Sequence, residues 1–410
     1  MQRSIFFLII ALFTSSTLAD LKTKGEVGLE TRFFTNDNIE ETKDSNISQK
    51  TRLEIRGNRG AFSERLRVFA RADTLDKTRG IVIFEEAWYG YTYKNLNIKA
   101  GAQLLNWSAL EAFHPADVLN SRNYDSNFEN AEKFGEPMLS INYLLGTGGI
   151  TAYYMPVMIT PNLPKPSNRL RFSRTKLDDV IWIEEDGSIS HDNRSDQFAI
   201  RIDQSLALAD ISFHYLQYKD RNQPLFVPNI QTGKIHHVYL PVKQIGGTIQ
   251  YIFNDFIFKS EFAHRYFQKS TTTELGTLDQ PSHYQIALGS EYTYYHSNGR
   301  ESAFLAEFQS FQGITKAQRA ALSLFQHDLL LGHRFVFNDI SSTEILSSLI
   351  IDLERKEEIM FSISGSRRLG STWKIEPGIR LIKAKVKSDN YGLQQLNSAD
   401  QVFCNITRYF

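Results

Sequence analysis

Phe62-Ser63-Glu64-Arg65-Leu66-Arg67-Val68-Phe69-Ala70-Arg71-Ala72-Asp73 carries two sequences in one. Leu66, Val68, Ala70 and Ala72 form one register, and Arg65, Arg67, Arg71 and Asp73 form the other. Successive side chains of a strand point to opposite faces, so this segment predicts a strand with one apolar and one charged face. The pattern recurs. Over 255–267, Phe256, Phe258, Phe262 and Tyr266 oppose Lys259, Glu261 and Arg265; over 372–382, Trp373, Ile375, Ile379 and Leu381 oppose Lys374, Glu376 and Arg380. A helical period hardly appears. So many long alternating strands would need an impossibly large sandwich core. Closing them into one cylinder, apolar outside and charged inside, satisfies every edge and face.

Turn residues divide the chain into strands near 23–34, 47–57, 63–73, 81–93, 96–104, 138–145, 149–156, 195–204, 207–217, 236–252, 255–267, 282–295, 301–312, 326–337, 342–352, 358–366, 371–385 and 398–410. Short links such as Lys94-Asn95, Phe253-Asn254 and Gly146–Gly148 alternate with long ones at 35–46, 105–137, 157–194, 218–235, 268–281, 313–325 and 386–397. Short turns on one side and long loops on the other mark a transmembrane β-barrel with periplasmic turns and extracellular loops. The expected fold class is therefore all-β, an antiparallel barrel of about eighteen strands, with sixteen as the alternative. At this length a plugged transporter of about 22 strands does not fit.

The ends agree with export. Met1-Gln2-Arg3, the apolar run Ile5–Phe13 and Thr17-Leu18-Ala19 form a secretory signal peptide over 1–19, its apolar run far short of the roughly 20 residues of a spanning helix. The expected mature domain is 20–410. Phe410 closes an amphipathic strand in the manner of an assembly signal, although Arg408 stands where that signal usually has an aromatic or apolar residue. The expected partners are accordingly outer-membrane lipid and the barrel assembly machinery. Lys plus Arg equals Asp plus Glu at 46 each, which gives no field for nucleic acid, and a mean hydropathy of −0.33 suits a barrel with a wet lumen. Cys404, the single cysteine, reads as a small apolar side chain on a strand face. No cofactor or metal is expected, because the histidines show no ligand spacing.

The segment 106–137 has the most specific character: Asn106-Trp107, Phe113-His114-Pro115-Ala116-Asp117-Val118-Leu119-Asn120, Arg122, and Glu136-Pro137, followed by Tyr154-Met155-Pro156 and Leu163-Pro164. With Asn338-Asp339, Asp352-Leu353 and Ser366-Arg367-Arg368-Leu369-Gly370, it resembles a porin-like family of Gram-negative outer-membrane proteins, largely of unassigned function. Ser108 replaces the family's glycine and Ser121 its proline, which leaves the loop's shape open. The resemblance implies an outer-membrane pore or channel and names no solute; a trimer would follow by analogy.

Physical reading of the same loop predicts that 105–137 folds into the lumen, burying Trp107, Phe113, Leu119 and Phe128 and forming a constriction with Glu111, Asp117, Asp125 and Glu129. Arg52, Arg56, Arg65, Arg67 and Arg71 fall on one inner wall with Glu54 and Asp73, a local surplus of about three positive charges from which mild anion preference is expected. With Lys259, Glu261, Arg265, Lys374, Glu376 and Arg380 they are the candidate pore lining for small hydrophilic solutes. The alternative is a filled barrel with a structural or lipase-like role. The motif for the latter, His296-Ser297-Asn298-Gly299-Arg300, places histidine and serine next to each other, hence on opposite faces, in a predicted turn.

Overall fold

Strand alternation becomes closure where the first strand meets the last. The computed structural model describes residues 21–36, 42–125, 131–171, 173–268, 271–273, 275–385 and 391–410. The signal-peptide reading falls outside them. The barrel strands are β1 (Lys22–Phe34), β2 (Ser45–Arg59), β3 (Phe62–Asp73), β4 (Ile81–Tyr93), β5 (Leu96–Gln103) and β6 (Glu136–Leu145). They continue as β7 (Gly148–Val157), β8 (Arg194–Ser205), β9 (Ala209–Lys219), β10 (Pro241–Phe253), β11 (Phe256–Phe267) and β12 (His283–Tyr295). The last six are β13 (Glu301–Gln312), β14 (His327–Val336), β15 (Glu344–Asp352), β16 (Ile359–Leu369), β17 (Trp373–Lys383) and β18 (Gln401–Tyr409). Each pairs antiparallel with its neighbour. The seam from Glu26↔Tyr409 to Phe34↔Gln401 returns β18 to β1, so the eighteen-stranded sheet has no free edge.

Alternation sorts the faces. On β8, Phe198, Ile200 and Ile202 are exposed on the outside while Gln197 and Ala199 are buried on the inside; on β9, Ile211, Phe213 and Tyr215 alternate with buried Ser212, His214 and Leu216. In water each such outward side chain would forgo roughly 1.5–3 kcal/mol of burial, so this belt requires a lipid surround. Aromatic residues band its periplasmic edge, as in Phe62 stacked on Tyr89 and Phe256 against Tyr292. Cys404 also lies on the outer face, opposite Pro377. The short turns rely on residues that tolerate left-handed backbone, with Asn254 at φ 53° and Asn338 at φ 51°.

Two sequence expectations need correction. The single strand read over 236–252 is two pieces. Lys234–Tyr239 pairs parallel with Leu177–Ile183 and antiparallel with Leu225–Asn229 in a four-stranded sheet outside the barrel. The barrel strand begins at Pro241, which has no N–H to give a ladder and fits a strand's first position. In the loop read over 313–325, Lys316–Leu322 is a helix, capped by reciprocal bonds between Thr315 and Gln318.

Phe410 continues the seam: its N–H donates to Gly25 O and its carbonyl accepts from Gly25 N, both at 2.9 Å. Its ring occupies the space a side chain at position 25 would need. Deleting Phe410 removes both bonds and should lower the yield of the heat-modifiable barrel band in outer-membrane fractions, without loss of the exported chain. An unchanged barrel yield would refute a role for this residue in closure and assembly.

Candidate functional site

The connection between β5 and β6 runs inside the cylinder. Two wall carboxylates hold it. Glu261 on β11 accepts from Ser108 Oγ (2.7 Å) and the peptide N–H groups of Ala109 (2.6 Å), Leu110 (3.1 Å) and Ala116 (3.0 Å). Glu307 on β13 accepts from the N–H groups of Glu111 (2.7 Å) and Ala112 (2.9 Å). A third carboxylate, Glu136 at the start of β6, accepts from Ser121 N and Ile159 N and pairs with Arg221 at 2.7 Å. Hydrogen bonds of this kind contribute about 0.5–1.5 kcal/mol each, and more where the acceptor is ionised. The loop satisfies its backbone on the wall instead of in water.

Apolar contacts complete the docking. Trp107, Val118 and Leu119 pack with Met138, Met155, Leu216 and Tyr218, while Leu110 and Phe113 pack with Ala287, Leu330, Ile350 and Met360 from the opposite strands. Trp107 also lies against Tyr153, His214 and the Arg201 guanidinium. The barrel's outer half is therefore lined by packed loop.

Its other half is lined by charge. Register places Arg52 and Arg56 on β2 and Arg65, Arg67 and Arg71 on β3 facing inward. Opposite Arg67, β4 bulges, and the extra residue turns both Glu85 and Glu86 inward. Arg52 pairs with Glu26 (2.7 Å) and Glu85 (2.9 Å), Arg67 with Glu85 (2.7 Å), and Arg65 with Glu86 (2.8 Å) and Glu54 (3.4 Å). Arg56 contacts Glu54. The arginine surplus expected from β2 and β3 is thus largely met by carboxylates from β1 and β4. Glu85 and Glu86 escaped sequence reading because strict alternation sends one of them into lipid. Two adjacent glutamates inside an apolar strand were the available sign of a bulge.

Arg71 and Asp73 belong to a different cluster. Arg79, from the β3–β4 loop, is fully buried and pairs with Asp73 (2.9 Å), Glu30 (3.1 Å) and Asp125 (3.3 Å), and Arg71 approaches Asp125 at 3.9 Å. The remaining residues singled out from sequence scatter. Lys259 bridges Glu291 and Glu111 (3.1 Å), Lys374 pairs with Glu376 (3.3 Å), Arg265 contacts Gln244 (3.0 Å) and Asp220 (3.7 Å), and Arg380 is buried on β17 opposite Gln401. Asp117 pairs with Arg122 (3.1 Å) and Lys133. Of the three described acids among those proposed to face the arginine wall, Asp125 meets an arginine of that ladder, while Glu111 and Asp117 pair elsewhere. Glu129 and Phe128 lie outside the described residues. His296 contacts Ser302 Oγ at 2.9 Å on the outer face beside Tyr294 and Phe335, and Ser297 is not its partner. Among the described residues no group of three or more His, Cys, Asp or Glu could hold a metal.

No family model and no curated protein matches the sequence. Among solved structures the chain is similar to Pseudomonas aeruginosa OccK5 (OpdH), at 10% identity over 95% of this chain and 97% of that one, with a TM-score of 0.51. It also aligns with a mutant of the Rh. blastica porin (10% identity, 95% and 100% covered, TM-score 0.46) and with a loop-deletion mutant of OmpT, an outer membrane protein of Vibrio cholerae (8%, 96% and 100%, 0.46). The likeness to OccK5 is one of fold. The molecule is a closed transmembrane β-barrel of the outer-membrane type, as the lipid-facing belt and the closed sheet independently indicate.

If Glu261 and Glu307 hold the loop, Glu261→Ala with Glu307→Ala should free it and expose Arg122 and Lys133. Trypsin should then cut within 105–135 in the folded double variant while leaving the wild type intact; equal resistance would show that apolar packing alone suffices. Acid should loosen the same loop. Burial, reinforced by Arg122, pushes the His114 imidazole down to about 4, against an ordinary value near 6.5 in a released loop. Release therefore takes up a proton at His114 between these values, so the contribution of this histidine to docking is complete above about pH 6.5 and is lost as pH falls toward 4. Burial raises the Asp117 carboxyl, but Lys133 and Arg122 outweigh it and hold it below its ordinary range, which places its loss at lower pH still. Hydrogen exchange of 105–125 should rise as pH falls through this window, after correction for intrinsic rates. His114→Asn should flatten the rise, and an unchanged profile would rule out this histidine.

Proposed function

We propose that this protein is a passive outer-membrane channel for small hydrophilic solutes, with mild anion preference. The observation that carries the reading is the accessibility of the arginine wall. Inside a closed barrel, the side chains of Arg52, Arg65 and Arg67 remain 25%, 24% and 29% exposed, whereas Arg71 and Arg79 under the loops are at 0%. Water reaches the wall, and barrels of 16–18 strands leave an aqueous lumen. Sign follows from the inward residues of β1 to β4 along this stretch: Lys22, Lys24, Lys50, Arg52, Arg56, Arg65 and Arg67 against Glu26, Glu54, Glu85 and Glu86, seven minus four, a surplus of three positive charges. Charges confined in a lumen are screened less than on an open surface.

The packed outer half favours the second reading, a filled barrel with a structural role. Planar bilayers separate the two. A channel gives defined conductance steps, and its reversal potential in a salt gradient should favour chloride. Lys50→Gln with Arg67→Gln should move that preference toward potassium. Absence of steps would overturn the channel reading, and wild-type potassium preference would overturn the anion reading alone.

A further inference from the structure

The outer half of the barrel is not solid. A cavity of about 510 Å³ lies above the docked loop, within the range of about 300–1,000 Å³ typical of small-molecule sites. Its floor is Ala112–His114 with Asp117 and Val118, and its walls come from β11 to β13, residues 221–226, the short helix and the turn near Tyr391.

Aromatic rings stand around it: Tyr124, Phe226, Phe311 and Phe325. Phe226 is unusual among them, since it is 47% exposed on a strand of the extracellular sheet, where it meets His237 edge-on. Between the rings lie amides. Gln285 Nε2 donates to Gln309 Oε1 (3.2 Å), and Gln309 Nε2 donates to Phe325 O (2.8 Å). That chain leaves the Gln285 amide oxygen with no protein donor among the described residues. The Gln223 amide oxygen, also on the lining, is buried with no hydrogen-bond partner. A buried acceptor without a donor is costly, by about 1–3 kcal/mol, and a guest carrying hydroxyl donors would relieve it.

Three guanidiniums also border the cavity, and each is matched by a carboxylate: Arg122 by Asp117 (3.1 Å), Arg221 by Glu136 (2.7 Å) and Arg265 by Asp220 (3.7 Å). Lys133 shares Asp117. The cations therefore offer N–H groups without a strong field for a free anion.

We infer that this vestibule binds a neutral, polyhydroxylated ring compound of mono- or disaccharide size, its apolar face against the aromatic walls and its hydroxyls on the Gln223 and Gln285 oxygens and the Arg122 guanidinium. Rings with a C–H face suit aromatic walls, and hydroxyls both donate and accept, which matches a lining of unfilled acceptors and paired donors. The inference deepens the channel reading by naming the solute class received at its outer mouth.

Isothermal titration of the detergent-solubilised full chain tests it, with maltose and cellobiose as probes and benzoate as the anionic ring of comparable apolar face. Saturable one-to-one binding of a disaccharide that benzoate does not displace is expected. Phe226→Ala, on the half-exposed ring outside the barrel wall, should weaken it about tenfold, and Gln223→Ala should weaken it several-fold, with the heat-modifiable barrel band unchanged in both. No saturable binding of either sugar, tighter binding of benzoate, or full affinity in both variants would overturn the assignment. The outcome is separable from conduction: conductance steps without sugar binding would remove this inference and leave the channel, while sugar binding without steps would do the reverse.

Discussion

One side chain, the Glu261 carboxylate, collects the hydroxyl of Ser108 and three peptide N–H groups from a loop whose residues are about 150 positions away in sequence. The wider arrangement follows from that constraint. A loop of this length inside a cylinder must satisfy its backbone groups there, since the wall ladder already uses those of the strands. Glu307 and Glu136 do the same for neighbouring segments, and with the backbone held in this way Trp107, Leu110 and Phe113 pack against the wall. The barrel is thereby divided into a packed outer half containing a cavity and an inner half where charged side chains meet water.

The two halves handle charge differently. Around Arg79 the ions are buried and close to fully paired, the situation in which losing one partner costs about 3–5 kcal/mol. Along Arg52, Arg65 and Arg67 the pairs are as short but partly wet, so each contributes little to stability and is free to set a field. The same residue type thus works as structural cement at one depth and as lumen surface at another.

How much of this was legible depends on whether the governing interaction is local. Alternation is local, and it gave the eighteen strands to within a few residues, the faces of Arg65 and Lys374, and the outward position of Cys404. Partners across the lumen are not local. Nothing near Glu261 marks it as an anchor and not a pore-lining acid, and nothing near Lys259 points to Glu291, one strand away, or to Glu111 on the loop. Lys234–Tyr239 failed for a related reason: it alternates like a barrel strand, and only its partners show that it belongs to a sheet outside the membrane. Thr315 and Gln318 form a capping pair that could have announced the short helix, had the surrounding loop been read for helix starts.

The bulge in β4 gives that strand two reading frames. Up to Glu85, odd positions such as Ile83 face the lumen; from Glu86 onward, even positions such as Trp88 do, and Tyr89 and Tyr91 reach the lipid edge. A one-residue deletion elsewhere in 81–93 would shift part of the strand out of phase and turn a charged or bulky side chain the wrong way, while loss of Glu85 or Glu86 would merge the frames and leave every other residue on its proper face. A variant shortened at that dipeptide should therefore keep its barrel while its arginines lose half of the carboxylates that β4 supplies.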